Sequence, residues 1–259
     1  MRKSTVKTML DDGSFVRQAK ELKKLLNLNY LQFANRTQSC GQKDLPALYC
    51  EADEYPDFLA LYSEKSLYKK TDRTAVCFFE FDSEFDGIHG LFNAIYYDDA
   101  KLLEKYKERF RGVRYVITPD YSELGDIHVI ENEFRLFKAR IIGLWFLFEI
   151  GAIVIPNITF PTEESCGFAT DGLEGCSIIC FSTKGHMDSA GKRARLKRHV
   201  HLTLEKLHPK AIVVYDVCSS NEETLFLFSE AIEKGIEVII APNTLKARNG
   251  FAVAGRASA

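Results

Sequence analysis

From residue 73 onward one order of hydrophobic and polar positions recurs. A short β-branched and aromatic run ends in polar residues, a longer stretch with apolar residues every three or four positions follows, and a glycine or proline precedes the next run. The runs predict strands over 74–81 (TAVCFFEF), 113–118 (VRYVIT), 152–158 (AIVIPNI), 176–181 (CSIICF), 211–217 (AIVVYDV) and 236–241 (IEVIIA). Most are nearly continuously apolar, the pattern of strands covered on both faces.

The intervening stretches read as helices with definite ends. Ile130, Phe134, Phe137, Ile141, Leu144 and Phe148 recur in steps of four and three between residues 126 and 150, which places them on one helix face. Gly151 can end that helix in the left-handed conformation that glycine adopts without a Cβ clash. Ser220 and Glu223 have capping-box spacing ahead of a helix over 224–234, with Gly235 at its end. Repeated helix, breaker and strand imply right-handed βαβ units and a parallel sheet.

The expected architecture is therefore α/β, with a mainly parallel sheet of about six strands and helices on both faces. An open doubly wound sheet is favoured over an incomplete β/α barrel because eight units are not visible. Residues 1–72 form an N-terminal appendage, with Val16, Ala19, Leu22, Leu25 and Leu26 on one side of an amphipathic helix. Residues 73–245 form the core domain and 246–259 a C-terminal tail.

At 259 residues, the chain can bury one substantial core. A formal charge of −2 gives no overall attraction to nucleic acid or anionic membrane, so such affinity needs a local patch. The first residues, MRKSTVKTMLDDGSF, lack the apolar run and cleavage site of a secretory signal. The apolar stretch 141–156 is too short for a membrane span and is interrupted by Glu149, Gly151 and Pro156. Seven cysteines without pairing rhythm suit reduced thiols, so a cytoplasmic location without membrane partners is expected.

Strand ends are where loops and helix N-termini converge in parallel α/β folds. Here they offer Asp82 and Glu84, Asp120 and Ser122, Asn157 and Thr159, Ser182 and Thr183, Asp216, and Asn243. Any one of these could merely cap a helix or form a turn. Asp82, Asp120 and Asp216 are the candidate catalytic carboxylates and could act around a divalent cation, although no short ligand motif supports a metal site and no cofactor is indicated.

The loop and helix after the fourth predicted strand, FSTKGHMDSAGKRARLKRHVH, concentrate positive charge. Ser182, Thr183, Lys184, Lys192, Arg193 and Arg195 are the candidate phosphate or nucleic-acid contacts, against the alternative of a solvated helix face. Residues 185–192 imitate a phosphate-binding loop, but the glycine spacing has one residue too many and Arg193 stands where Ser or Thr would bind magnesium. Cys166, Cys176, Cys180 and His186 lack zinc-ligand spacing, and His199 and His201 are two apart on a helix. Trp145 and the phenylalanines fit helix and strand cores rather than a stacking platform.

Several stretches together resemble a known family: FFEFDSEF at 78–85, PDYS at 119–122, the following helix with Arg140, GAIVIPNITF at 151–160, FATDG at 168–172 and FSTKG at 181–185. In this order they resemble domain of unknown function family 4417, over roughly residues 45–240. The resemblance implies a phage, plasmid or conjugative-element setting and no particular activity. The leading expectation is a protein that binds a phosphate-bearing ligand, nucleic acid or a nucleotide-like molecule, at strand C-terminal ends beside the basic loop. The alternatives are a carboxylate- or metal-dependent enzyme acting on a nucleotide or sugar phosphate, and an interaction factor whose partner is a host or phage protein.

Overall fold

The computed structural model describes residues 30–257 and the antiparallel pair Thr8–Met9 with Phe15–Val16, with side chains described over 30–250. The helix expected over 16–26 lies outside the described residues, apart from Val16, which is in that strand pair.

All six predicted strands form and all are parallel, joined by a seventh. They are β1 (Phe58–Leu61), β2 (Thr74–Cys77), β3 (Tyr115–Ile117), β4 (Ile153–Ile155), β5 (Ile178–Ser182), β6 (Ala211–Tyr215) and β7 (Glu237–Ile240). β1 pairs in register with β2, Phe58 opposite Thr74 and Leu61 opposite Cys77. The core therefore begins before residue 73, and the stretch assigned to the appendage contributes an edge of the sheet. FLAL is too short and too poorly framed by breakers to declare itself as a strand.

Strand order separates the two architectures. The strands form one sheet β1-β2-β3-β4 and another β5-β6-β7, so spatial neighbours are consecutive in the chain. A doubly wound sheet requires a reversal of order, and none occurs. The two sheets touch at both ends: Cys180 N donates to Pro156 O (2.8 Å) and Ile158 N to Cys180 O (2.8 Å), while Leu59 N donates to Pro242 O (2.9 Å). These seams are isolated bridges rather than continuous ladders, so the sheets are two arcs of an incomplete β/α barrel and not a closed one.

The inner faces of the arcs pack on each other. The rings of Phe79, beyond β2, and Tyr215, on β6, stack with centroids 4.5 Å apart. Cys77 and Cys180 are fully buried, and burial, with a smaller contribution from Cys180, pushes the Cys77 thiol well up. Outside lie α1 (Leu91–Tyr97) and α2 (Ala100–Arg109) between β2 and β3, α3 (Val129–Trp145), α4 (Cys166–Thr170), α5 (Ala190–Leu204), α6 (Asn221–Leu227) and α7 (Ser229–Glu233), followed by α8 (Thr244–Ala257).

Local signals act largely as the sequence suggests. α3 runs into a π-helical turn, Phe146–Ile150, and Gly151 ends it at φ 74°. The Ser220 hydroxyl accepts from Glu223 N at 3.3 Å, while the Glu223 carboxylate accepts from Ser219 Oγ, so one half of the expected capping box forms. The predicted helix over 224–234 is broken at Phe228. The apolar stripe on α3 also departs from expectation, since Ile141 and Leu144 are buried but Ile130 and Phe134 are exposed. Among the described residues, no helix is long and apolar enough to cross a membrane.

Contact between the two arcs makes Phe79 and Tyr215 energetically coupled. In a double-mutant cycle of Phe79→Leu and Tyr215→Leu, followed by urea unfolding, the pair should show a coupling of about 0.5–1.5 kcal/mol. Simple additivity would mean that the inner faces do not meet.

Candidate cleft at the strand C-terminal ends

A cleft of about 410 Å³ opens at the C-terminal ends of β2 to β5, within the usual range for small-molecule sites. It opens where the two arcs meet at β4 and β5, because single bridges there leave the following loops splayed. The loop after β3 supplies Asp120, Ser122 and Glu123, the segment after β4 supplies Asn157 and Thr159, and the end of β5 with its following loop supplies Ser182, Lys184 and His186. α5 presents Arg195 and His199, four residues apart and so on one helix face.

One wall is acidic. Asn157 Nδ2 donates to Asp120 Oδ1 at 2.8 Å. Burial, partly offset by this bond, pushes the Asp120 carboxyl up to about 6, with Asp82 adding to the rise. Burial, followed by the neighbouring Asp120, also drives Glu123 well above the usual carboxylate range. Glu123 Oε2 and Asn157 Oδ1 are buried without a hydrogen-bond partner in the protein.

The facing wall is basic. Lys184 Nζ reaches across to Phe79 O at 2.6 Å, the turn at Gly185 taking φ 82° to bring the loop back. An ammonium has three donors, so this bond leaves Lys184 two. Among the described residues, Arg195 makes no hydrogen bond or ion pair, and its side chain is exposed on the cleft. His199 is 6% exposed and packs tilted against Phe160 with centroids 4.1 Å apart. Burial, then His186 and Arg195, lowers His199 to about 4, and burial with Arg195 and Lys192 lowers His186. Both rings are neutral at physiological pH, and His199 Nε2 and His186 Nδ1 are unpartnered within the protein.

Of the candidate phosphate contacts, Ser182, Lys184 and Arg195 line the cleft. The other three are engaged elsewhere. Thr183 Oγ1 is fully buried and donates to Asp216 Oδ1 at 3.1 Å, Lys192 pairs with Asp188 at 2.6 Å, and Arg193 Nη1 donates to Met187 O at 2.7 Å. The continuous basic strip suggested by the sequence is thus reduced to Lys184 and Arg195, because a run of like charges on a helix distributes around it and local acceptors take up the rest.

The three candidate carboxylates do not converge. Asp82 accepts from Ser122 N and Oγ, each at 3.1 Å, and from Arg135 Nη1 at 2.5 Å, so it anchors the loop that carries Asp120. Asp216 lies under the other seam, where Lys246, Thr183 and Cys218 N surround its carboxylate and Asn243 Nδ2 donates to its carbonyl at 2.8 Å. Among the described residues, no three His, Cys, Asp or Glu side chains are placed to share a metal ion.

Sequence reasoning missed Glu123, His186, His199 and Phe81 as members of one site. Only the four-residue spacing of Arg195 and His199 carried a signal. Phe81 departs from the expectation that the phenylalanines fit the core, being 78% exposed at the cleft, whereas Trp145 is fully buried as expected.

Burial alone would raise the Asp216 carboxyl, but Lys246 and the Cys218 N–H hold it below its usual value. A depressed carboxyl contributes stability above its unfolded pKa and loses that contribution as pH falls through the folded one. Asp216→Ala strands the Lys246 charge and should cost about 3–5 kcal/mol of unfolding free energy at pH 7, with the deficit narrowing on acidification. A loss below 1 kcal/mol in urea titration would contradict the role of this carboxylate as a lock.

Several of the stretches that carried the family resemblance lie around this cleft, PDYS holding Asp120, GAIVIPNITF holding Asn157 and FSTKG holding Lys184, whereas FATDG lies outside it. Residues 38–232 match the family described as Domain of unknown function (DUF4417). No curated protein and no solved structure matches the chain significantly. With most of its length matched and several motif-bearing loops gathered on one cleft, the chain belongs to the DUF4417 family.

Proposed function

We propose that the cleft binds a small phosphate-bearing ligand. The observation that carries this reading is the uncommitted Arg195 guanidinium on the same wall as Lys184 and two neutral histidines whose buried ring nitrogens lack partners. A guanidinium can present parallel N–H donors to phosphate oxygens, and a neutral imidazole can donate from one nitrogen. Desolvated walls strengthen these contacts relative to water.

An enclosed molecule fits better than a nucleic-acid strand. Tracking a polynucleotide requires several cations along a groove, but Lys192 and Arg193 are held in local contacts and Arg198 pairs with Glu163 at 3.2 Å. Asp120, raised to about 6 and so ionised at neutral pH, would also repel a continuous phosphate backbone.

Arg195→Ala should weaken binding of inorganic phosphate about tenfold or more, the scale of a charge-assisted hydrogen bond, with an unchanged melting temperature because exposed charges contribute little to folding. The paired change Lys192→Ala with Arg193→Ala should leave phosphate affinity near that of the parent protein. Isothermal titration of the three proteins checks this, and equal affinities throughout would defeat the reading.

Asp120 gives an independent test. Its folded carboxyl titrates near 6, above the unfolded value of 3.8, so the native state holds the proton more tightly and ionisation costs stability as pH rises between the two. Asp120→Asn removes that cost while keeping an acceptor for Asn157. It should stabilise the protein by on the order of 2–3 kcal/mol at pH 8 and by little near pH 4, read from urea unfolding at the two pH values. No gain at pH 8 would show that Asp120 is not held against its ionisation.

A further inference from the structure

The cleft has a third surface that the anion-binding reading leaves unused. Phe81 and Leu124, from the loops after β2 and β3, line its mouth at 78% and 52% exposure, and the Lys184 ammonium lies 5.9 Å from the Phe81 ring centroid. An exposed phenylalanine beside a cationic, ligand-sized cleft offers a flat apolar face, 78% exposed among the described residues. Three kinds of surface therefore border one volume: cations, hydrogen-bond acceptors and an aromatic rim.

We propose that the ligand is a nucleoside monophosphate, with its phosphate on Lys184 and Arg195, its sugar hydroxyls toward Asp120, Glu123 and Asn157, and its base against Phe81 and Leu124. The inference rests on the anion-binding reading and assigns its substrate class. Charge supports a single phosphate. Lys184, with two donors left, and Arg195 face a group carrying about two negative charges, whereas a triphosphate would bring further charge against Asp120. The buried, unpartnered Asn157 Oδ1 (residue 8% exposed) and Glu123 Oε2 are acceptors, which suit the hydroxyl donors of a ribose. His199 Nε2, equally buried and unpartnered, lies on the cationic wall and can serve a phosphate oxygen when that nitrogen carries the proton.

The full chain is titrated calorimetrically with inorganic phosphate, ribose 5-phosphate, adenosine 5′-monophosphate and adenosine 5′-triphosphate. The monophosphate should bind more tightly than ribose 5-phosphate by about 5- to 150-fold, the range that alanine substitution gives for base–aromatic stacking, and no more weakly than the triphosphate. Phe81→Ala should abolish the preference for the nucleotide over ribose 5-phosphate while leaving ribose 5-phosphate affinity and the melting temperature unchanged, which shows that the fold is intact. Equal binding of the nucleotide and ribose 5-phosphate by the parent protein overturns the base assignment while leaving the anion site standing. A preference for the triphosphate overturns the single-phosphate assignment. If neither phosphate nor any ester binds, the anion-binding reading fails and this inference falls with it.

Discussion

Seven parallel strands that follow one another in space as they do in sequence leave little freedom for the rest of the molecule. Crossovers of one hand put the connecting helices on the same side of each sheet, so the opposite faces must find cover in each other. Phe79 stacked on Tyr215, and the mutual approach of Cys77 and Cys180, are that cover. Once the faces meet, the strand C-terminal ends point into a common space, and the loops leaving β2, β3, β4 and β5 become walls of one cleft. The seams fix where that cleft opens. Near β4 and β5 the sheets share only a bridge at Asn157 and Cys180, so the chain beyond them diverges and leaves room.

The two seams are stabilised differently, and their carboxylates differ with them. At the β7–β1 seam Asp216 is fully buried, surrounded by donors and held ionised, which is how a buried charge is tolerated. At the β4–β5 seam Asp120 has one donor from Asn157 and little else, and its carboxyl resists ionisation. Glu123, Asn157, His186 and His199 each keep one buried atom without a partner in the protein, and each such atom carries a cost on the order of 1–3 kcal/mol. A ligand that satisfied these atoms would recover part of that cost. Unsatisfied polar groups gathered on one concave surface are characteristic of sites rather than of cores.

Much of the fold was legible in the chain because its determinants are local. Apolar runs of four to eight residues, Gly151 at φ 74°, and Ser220 at a helix start each act within a few residues. β1 was not legible, since FLAL becomes a strand through pairing with β2 rather than through its own pattern. The choice between an open sheet and a split barrel was likewise invisible, because it depends on which strands are neighbours. For the cleft lining, strand-end reasoning pointed to Asp120, Asn157 and Ser182, whose positions follow from where strands stop, and the basic loop pointed to Lys184. Asp82, Asp216 and Thr183 face neighbours instead, because partners distant in sequence decide this, such as Arg135 for Asp82 and Lys246 for Asp216, while the basic-loop candidates Lys192 and Arg193 are taken up by the nearby Asp188 and Met187.

Such a distant partner also explains how the FATDG stretch, which is not part of the cleft, can matter to it. Arg140 is buried in α3 and donates from Nη2 to Ala169 O at 2.9 Å and to Asp171 O at 3.2 Å. Burial lowers its guanidinium to about 10, which still leaves it charged at physiological pH. Among the described residues, its hydrogen bonds go to carbonyl oxygens, an arrangement that fixes α3 against α4. One helical turn and a residue earlier, α3 carries Arg135, which binds Asp82, and Asp82 in turn holds Ser122 N and Oγ beside Asp120. The position of the acidic wall is thus set through a continuous series of contacts that begins at a buried arginine on the far side of α3. A change at Arg140 would reach the cleft through the placement of α3 rather than through any contact with a ligand.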